Sequence, residues 1–136
     1  MKKTLLLFLL SGAPVFAQTL EFSKLETRMI RANWNTLSIP VGQASFAARI
    51  TEALADTTAK LDKNQVIAVA NAFEDKGWFA GADSFVVAYR EYRDSVKFKT
   101  KTRQKFIEQF FPNYNDQLAL SNAWAKIRKF LVESAK

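Results

Sequence analysis

An all-α fold, a single compact bundle of five to six helices behind a short N-terminal leader, is what this 136-residue sequence predicts. Three observations carry the prediction. Apolar residues recur at spacings of three and four almost throughout. Beyond residue 17 the helix-breaking punctuation is confined to Pro40 with Gly42, Gly77, Gly81, and Pro112 with Asn113 and Asn115. Finally, 12 Phe, 3 Trp and 3 Tyr supply large apolar side chains to a chain of one-domain length. With no cysteine, packing or a partner must provide the stability that many small exported domains draw from disulfides.

The leader is residues 1–17. Lys2 and Lys3 form a positive n-region, Leu5 to Leu10 an apolar run, and Ser11-Gly12-Ala13-Pro14 a break before Val15 and Ala17. This reads as a cleavable secretory signal, with the cut between Ala17 and Gln18. The run is too short for a membrane span, which needs about 20 apolar residues. The expected mature domain is 18–136, periplasmic or secreted, and without a cysteine for acylation it carries no lipid tether.

The first helix has Phe22, Leu25, Met29 and Ala32 at i, i+3, i+7 and i+10, widened by Ile30, Trp34 and Leu37, and ends before Ser38-Ile39-Pro40-Val41-Gly42. The second carries Phe46, Ile50, Ala53, Leu54, Thr57 and Leu61, with Ser45 as its cap. The third opens on Asp62-Lys63-Asn64-Gln65, a capping-box spacing. Its body, Val66 to Phe73, is apolar almost all round, which marks it as the expected centre of the bundle. Asp83 or Ser84 caps a fourth helix with Phe85, Ala88, Tyr89, Tyr92 and Val96 inward. Phe106, Ile107, Phe110, Phe111 and Tyr114 form a short fifth, stopped by Pro112. Asn115 caps the sixth, with Leu120, Trp124, Ile127 and Leu131 along its stripe. Between the fourth and fifth, residues 96–105 alternate with period two and read as an extended loop entering helix five near Thr100 or Thr102.

Ala70-x-x-Phe73-x-x-x-Gly77-x-Phe79-x-x-Ala82 resembles the junction of a tetratricopeptide-repeat hairpin, over residues 63–94 at most. The resemblance implies peptide or protein binding rather than catalysis. It departs from that family at Val86 and Tyr89, and no copies follow at the family's 34-residue period, so a helical hairpin with a glycine turn accounts for the same residues.

The absence of both His and Cys removes triad catalysis, thiol chemistry and zinc sites built on imidazole or thiolate. No phosphate-binding glycine loop, dinucleotide fingerprint or calcium loop is present, and no cofactor is expected. The remaining enzymatic option is glycoside cleavage of wall polymer by paired carboxylates. Its candidates, Glu74 with Asp75 and Glu91 with Asp94, sit beside Lys76, Arg90 and Arg93 as surface ion pairs would.

The chain is basic, with 20 Lys and Arg against 13 Asp and Glu. In an extended segment Lys97, Lys99, Lys101, Arg103 and Lys105 fall on one side, a candidate polyanion or membrane-surface site; a loop kept soluble by lysine is the plainer account. Lys24, Arg28 and Arg31 share a face of the first helix, and Lys126, Arg128 and Lys129 group on the sixth. Trp34 and Trp124 lie on core stripes, whereas Trp78 and Phe79, in the Gly77 turn, are the aromatics expected to be exposed and to meet a protein partner. The leading expectation is a non-enzymatic exported binding protein, an accessory or adaptor of an envelope system such as secretion or conjugation, or an immunity-type inhibitor. Its expected partner is a protein of the periplasm or envelope, with anionic lipid, glycan or nucleic acid as the alternative.

Overall fold

A computed structural model describes residues 18–96 and 100–135. The leader, Lys97, Phe98 and Lys99 lie outside the described residues. The order is β1 (Thr19–Glu21), α1 (Lys24–Trp34), a 3-10 turn (Val41–Gln43), α2 (Ala44–Leu54), β2 (Lys60–Asp62), α3 (Lys63–Lys76), α4 (Trp78–Ser95), α5 (Thr100–Phe110) and α6 (Tyr114–Ser134). Six α-helices thus form the described part, as the periodicity predicts. Two short strands are added: β1 and β2 pair antiparallel with Leu20 opposite Leu61. Three residues per strand are too few to show a period-two pattern.

Helix α6, not α3, holds the centre, packing against α4, α1 and α3. It buries Ala119, Leu120, Ala123 and Ile127. Helix α3 buries Val66, Val69, Ala70 and Phe73 but leaves Ile67 and Asn71 exposed. An apolar sequence on every side says only that the helix could be surrounded, not that this chain surrounds it.

The buried stripe of α1 is Glu26, Thr27, Ile30 and Trp34, rotated away from the predicted Leu25-Met29-Ala32 line, in which Ala32 is exposed. Internal bonds explain the two polar members. Glu26 Oε1 accepts from the Ser23 backbone N–H at 2.7 Å and from Lys126 Nζ at 2.6 Å. Thr27 Oγ1 accepts the Ala59 N–H at 2.9 Å, and Phe22 N–H donates to the Ala59 carbonyl. The start of α1 and the segment before α3 are thereby tied together by hydrogen bonds.

Helix starts follow local chemistry. The Asp62–Gln65 capping box forms as its spacing predicts, and Ser23 with Glu26 makes a second. Three predicted caps are displaced. Helix α2 begins at Ala44 after the 3-10 turn, with no side-chain cap, so Ser45 lies inside it. Helix α4 begins at Trp78, because Gly77 in the left-handed region (φ 72°) closes α3 and leads directly into α4. Asp83 therefore sits within α4, where its carboxylate accepts a hydrogen bond from Ser121 of α6. Helix α6 begins at Tyr114, with Asn113 rather than Asn115 at the cap position.

The core runs from Phe22 and Ile30 through Ile50, Leu54, Val66 and Phe73 to Phe79, Leu120 and Ile127. Beyond it α4 and α5 share a separate aromatic cluster. Tyr89 stacks on Tyr114 with centroids 3.6 Å apart and meets the edge of Phe111, and Tyr92 lies against Phe106, Phe110 and Phe111. Ile107 of α5 is buried. Among the described residues no helix is long and apolar enough to cross a membrane.

Candidate functional site

The Gly77 turn withholds Phe79 from solvent and leaves Trp78 only partly exposed. Phe79 is 1% exposed, stacked on Trp124 with centroids 4.4 Å apart and packed on Phe73. Trp78 is half-buried, its ring edge-on to Phe73. The physical reason is the continuous run from α3 into α4. Because α4 starts at Trp78, Phe79 lies on the same face as Ala82 and Val86, and all three are buried. The residues carrying the tetratricopeptide-like spacing, Ala70, Phe73, Phe79 and Ala82, are core residues of a glycine-closed hairpin.

The basic segment also differs from its extended reading. Lys101, Arg103 and Lys105 are in α5, where steps of two residues turn about 200°. Lys101 and Lys105 therefore share one side while Arg103 points away from them, half-buried. Lys97 and Lys99 lie outside the described residues, so a one-sided row of five cations is not assembled in the described part.

The uncovered face of α3 forms the site that the sequence did not announce. Asn64, Ile67, Ala68, Asn71, Ala72 and Asp75 fall at i, i+3, i+4, i+7, i+8 and i+11, a single stripe opposite Val66, Val69 and Phe73. This stripe is one wall of a groove of ≈ 710 Å³; Trp34, the Leu37–Gln43 connection, and Phe46 and Ala47 of α2 form the rest. Trp34 is fixed at its end of the groove by a bond from its indole N–H to Thr51 Oγ1 at 3.0 Å. Ile39, Phe46 and Ile67 remain 37 to 40% exposed, and Val41 in the connecting turn is 93% exposed. Ile39, Phe46 and Ile67, three large apolar side chains partly at solvent in the lining of one groove, form the kind of patch that marks an interaction surface.

Polar side chains edge the apolar floor. Gln43, Asn64, Asn71, Asp75 and Lys76 line it, and none makes a side-chain hydrogen bond or ion pair with another described residue. Unpaired amides beside an apolar strip can bond the main chain of an incoming segment while the strip takes its side chains. Along α3 the strip spans 11 residue steps, about 16 Å. The sequence held two signals for this groove: the all-round apolar character of α3, and the apolar Ile39 before Pro40 in a turn otherwise expected to be polar.

The carboxylates considered for wall cleavage are dispersed. Glu74, Glu91 and Asp94 are exposed, and Asp94 bonds Arg93 Nε at 3.1 Å. Asp75 lines the groove, where no second carboxylate joins it. Among the described residues no group of three or more acids is placed to hold a metal ion. Compared with known protein families, curated proteins and solved structures, the chain matches none of them.

Proposed function

We propose that this chain is a non-catalytic, exported binding protein that receives an apolar segment of a protein partner in the groove between α3 and the Leu37–Ala47 region. One observation carries the reading: beside its buried stripe α3 carries Ile67, Ala68 and Ala72, which the chain covers only in part. The groove leaves Ile39, Phe46 and Ile67 partly in water. Covering such surface is worth about 25 cal/mol per Å², and the unpaired amides at the rim give an incoming main chain something to bond. The signal-like leader at residues 1–17 supports an encounter in the periplasm or beyond, and suits an accessory or adaptor of an envelope system or an immunity-type inhibitor. This reading does not use Trp78 and Phe79, which lie outside the groove lining, Phe79 within the core.

Two measurements test the reading. A photo-crosslinking side chain at position 67, expressed in the native envelope, should capture a protein, and Asn71→Glu, at an exposed position of the groove wall, should abolish capture while leaving the unfolding free energy in urea within about 0.5 kcal/mol of the parent, as surface substitutions do. Equal capture by the Asn71→Glu protein would overturn it. N-terminal sequencing of the exported protein should begin at Gln18; retention of Lys2 and Lys3 on a cytoplasmic product would refute the compartment.

A further inference from the structure

The basic face of α1 borders a concave surface that the one-dimensional pattern of charges does not reveal. Lys24, Arg28 and Arg31 line a pocket of ≈ 400 Å³ together with Leu25, Ala55 and Thr57, where the turn after α2 folds back over α1. Arg31 is held in place: its Nη1 donates to the Leu54 carbonyl at 2.8 Å and to the Asp56 carbonyl at 3.4 Å. That leaves Nε and Nη2 for another acceptor. Of the acids nearby, Glu26 is turned to Lys126 on another face, and Asp56, between the lining residues Ala55 and Thr57, meets Arg31 through its main-chain carbonyl. Arg28 is paired with Asp116 at 3.0 Å, with both side chains substantially exposed, so this contact is one that a competing anion can displace at small cost. Lys24 has no ion-pair partner among the described residues.

We infer that this pocket binds a phosphoryl or sulfo group, with Arg31 as the fixed fork, Arg28 and Lys24 as mobile cations and the Thr57 hydroxyl as a neutral donor. Tetrahedral oxyanions suit this set because guanidinium groups bond two oxygens at once and a lysine adds a point charge. Without Lys2 and Lys3 of the leader, the excess of 18 basic (20 − 2) over 13 acidic side chains raises the local concentration of any anion near the surface. The site is separate from the α3 groove and does not depend on it.

The test is a titration of the full mature chain with inorganic pyrophosphate at low salt, followed by chemical shifts of the arginine side chains and of the α1 amides. Shifts should concentrate at Lys24, Arg28, Arg31 and Thr57, and binding should weaken as ionic strength rises. The double variant Lys24→Gln, Arg28→Gln should lose about tenfold or more in affinity, the value of one to two charge-assisted bonds. Asp116→Asn should bind several-fold tighter, because it frees Arg28 and removes the competing charge. A purely structural role for the Arg28–Asp116 pair does not predict that gain. Vesicles containing phosphatidic acid form the second arm. Binding to them that is lost in the double variant assigns a lipid-borne headgroup; pyrophosphate binding without vesicle binding assigns a soluble phosphate ester. Unchanged affinity in the double variant, or shifts centred on Lys101 and Lys105 instead, overturns the site.

Discussion

Thr27 shows how one buried polar atom can set the placement of two segments. Its side chain is fully buried, and its Oγ1 accepts the Ala59 N–H at 2.9 Å, the bond that seats the start of β2 against α1. Thr27→Val keeps the shape and removes the acceptor, leaving a buried N–H unpaired. We expect a loss of about 1–3 kcal/mol in urea unfolding. Glu26 has a comparable position with charge added. Its carboxylate completes the Ser23 capping box and meets Lys126 at 2.6 Å, with 7% of the Glu26 side chain exposed against 40% of Lys126. The two ends should respond unequally. Lys126→Met strands a buried carboxylate, whereas Glu26→Gln retains an acceptor for the Ser23 N–H and frees a lysine that can turn to water. The lysine variant should therefore be the less stable of the two, by comparison of urea midpoints.

At the scale of the element, the α3–α4 junction turns on one glycine. Gly77 has φ 72°, and a methyl group on its Cα would meet no neighbouring atom within 4 Å, so Gly77→Ala encounters backbone strain alone and should cost about 1–2 kcal/mol. Gly81, one turn inside α4, is exposed and equally unobstructed. Gly81→Ala should stabilise by about 0.5–1 kcal/mol through helix propensity. Thermal melts of the two proteins should move in opposite directions. The same junction marks where sequence reading succeeds and where it stops. The Asp62–Gln65 box is legible because a cap is a contact between residues three apart. The start of α4 is not, since Asp83 and Ser84 look like caps until Gly77 is seen to serve both helices. Likewise the charges at 101, 103 and 105 alternate in sequence, but the helix that contains them separates Arg103 from its neighbours. Whether an apolar helix face is covered depends on elements far away in the chain, which explains why the pattern of α3 points to the centre of the bundle and conceals its groove.

For the molecule as a whole, the core and the α4–α5 cluster are two packing units. Helix α5 is joined through Tyr89, Tyr92, Phe106, Phe111 and Tyr114, and its Ile107 is buried, while α1, α2, α3, α6 and the start of α4 with Phe79 and Ala82 share the larger cluster. Local opening free energies differ between such units. Tyr89→Ala should raise amide exchange throughout α5 and the first turn of α6 while leaving the β1–β2 and α1 amides protected. Uniform loss of protection would mean that the two units unfold as one. The groove belongs to the larger unit, so partner capture should survive this substitution.

The Ser134 hydroxyl, which donates to the Phe130 carbonyl at 2.7 Å, lies 3.3 Å from the Gln18 side-chain oxygen across 116 positions of sequence, beside the β1 strand on which α6 packs. The path of the domain therefore returns to its origin and forms a nearly closed circuit. A chain rewired so that a short glycine linker joins Ala135 to Gln18, and opened instead at the exposed Pro112–Asn113 connection, would trace the same circuit from a new beginning. In that arrangement a reporter or a second domain could be attached at that connection, outside the residues that line the α3 groove.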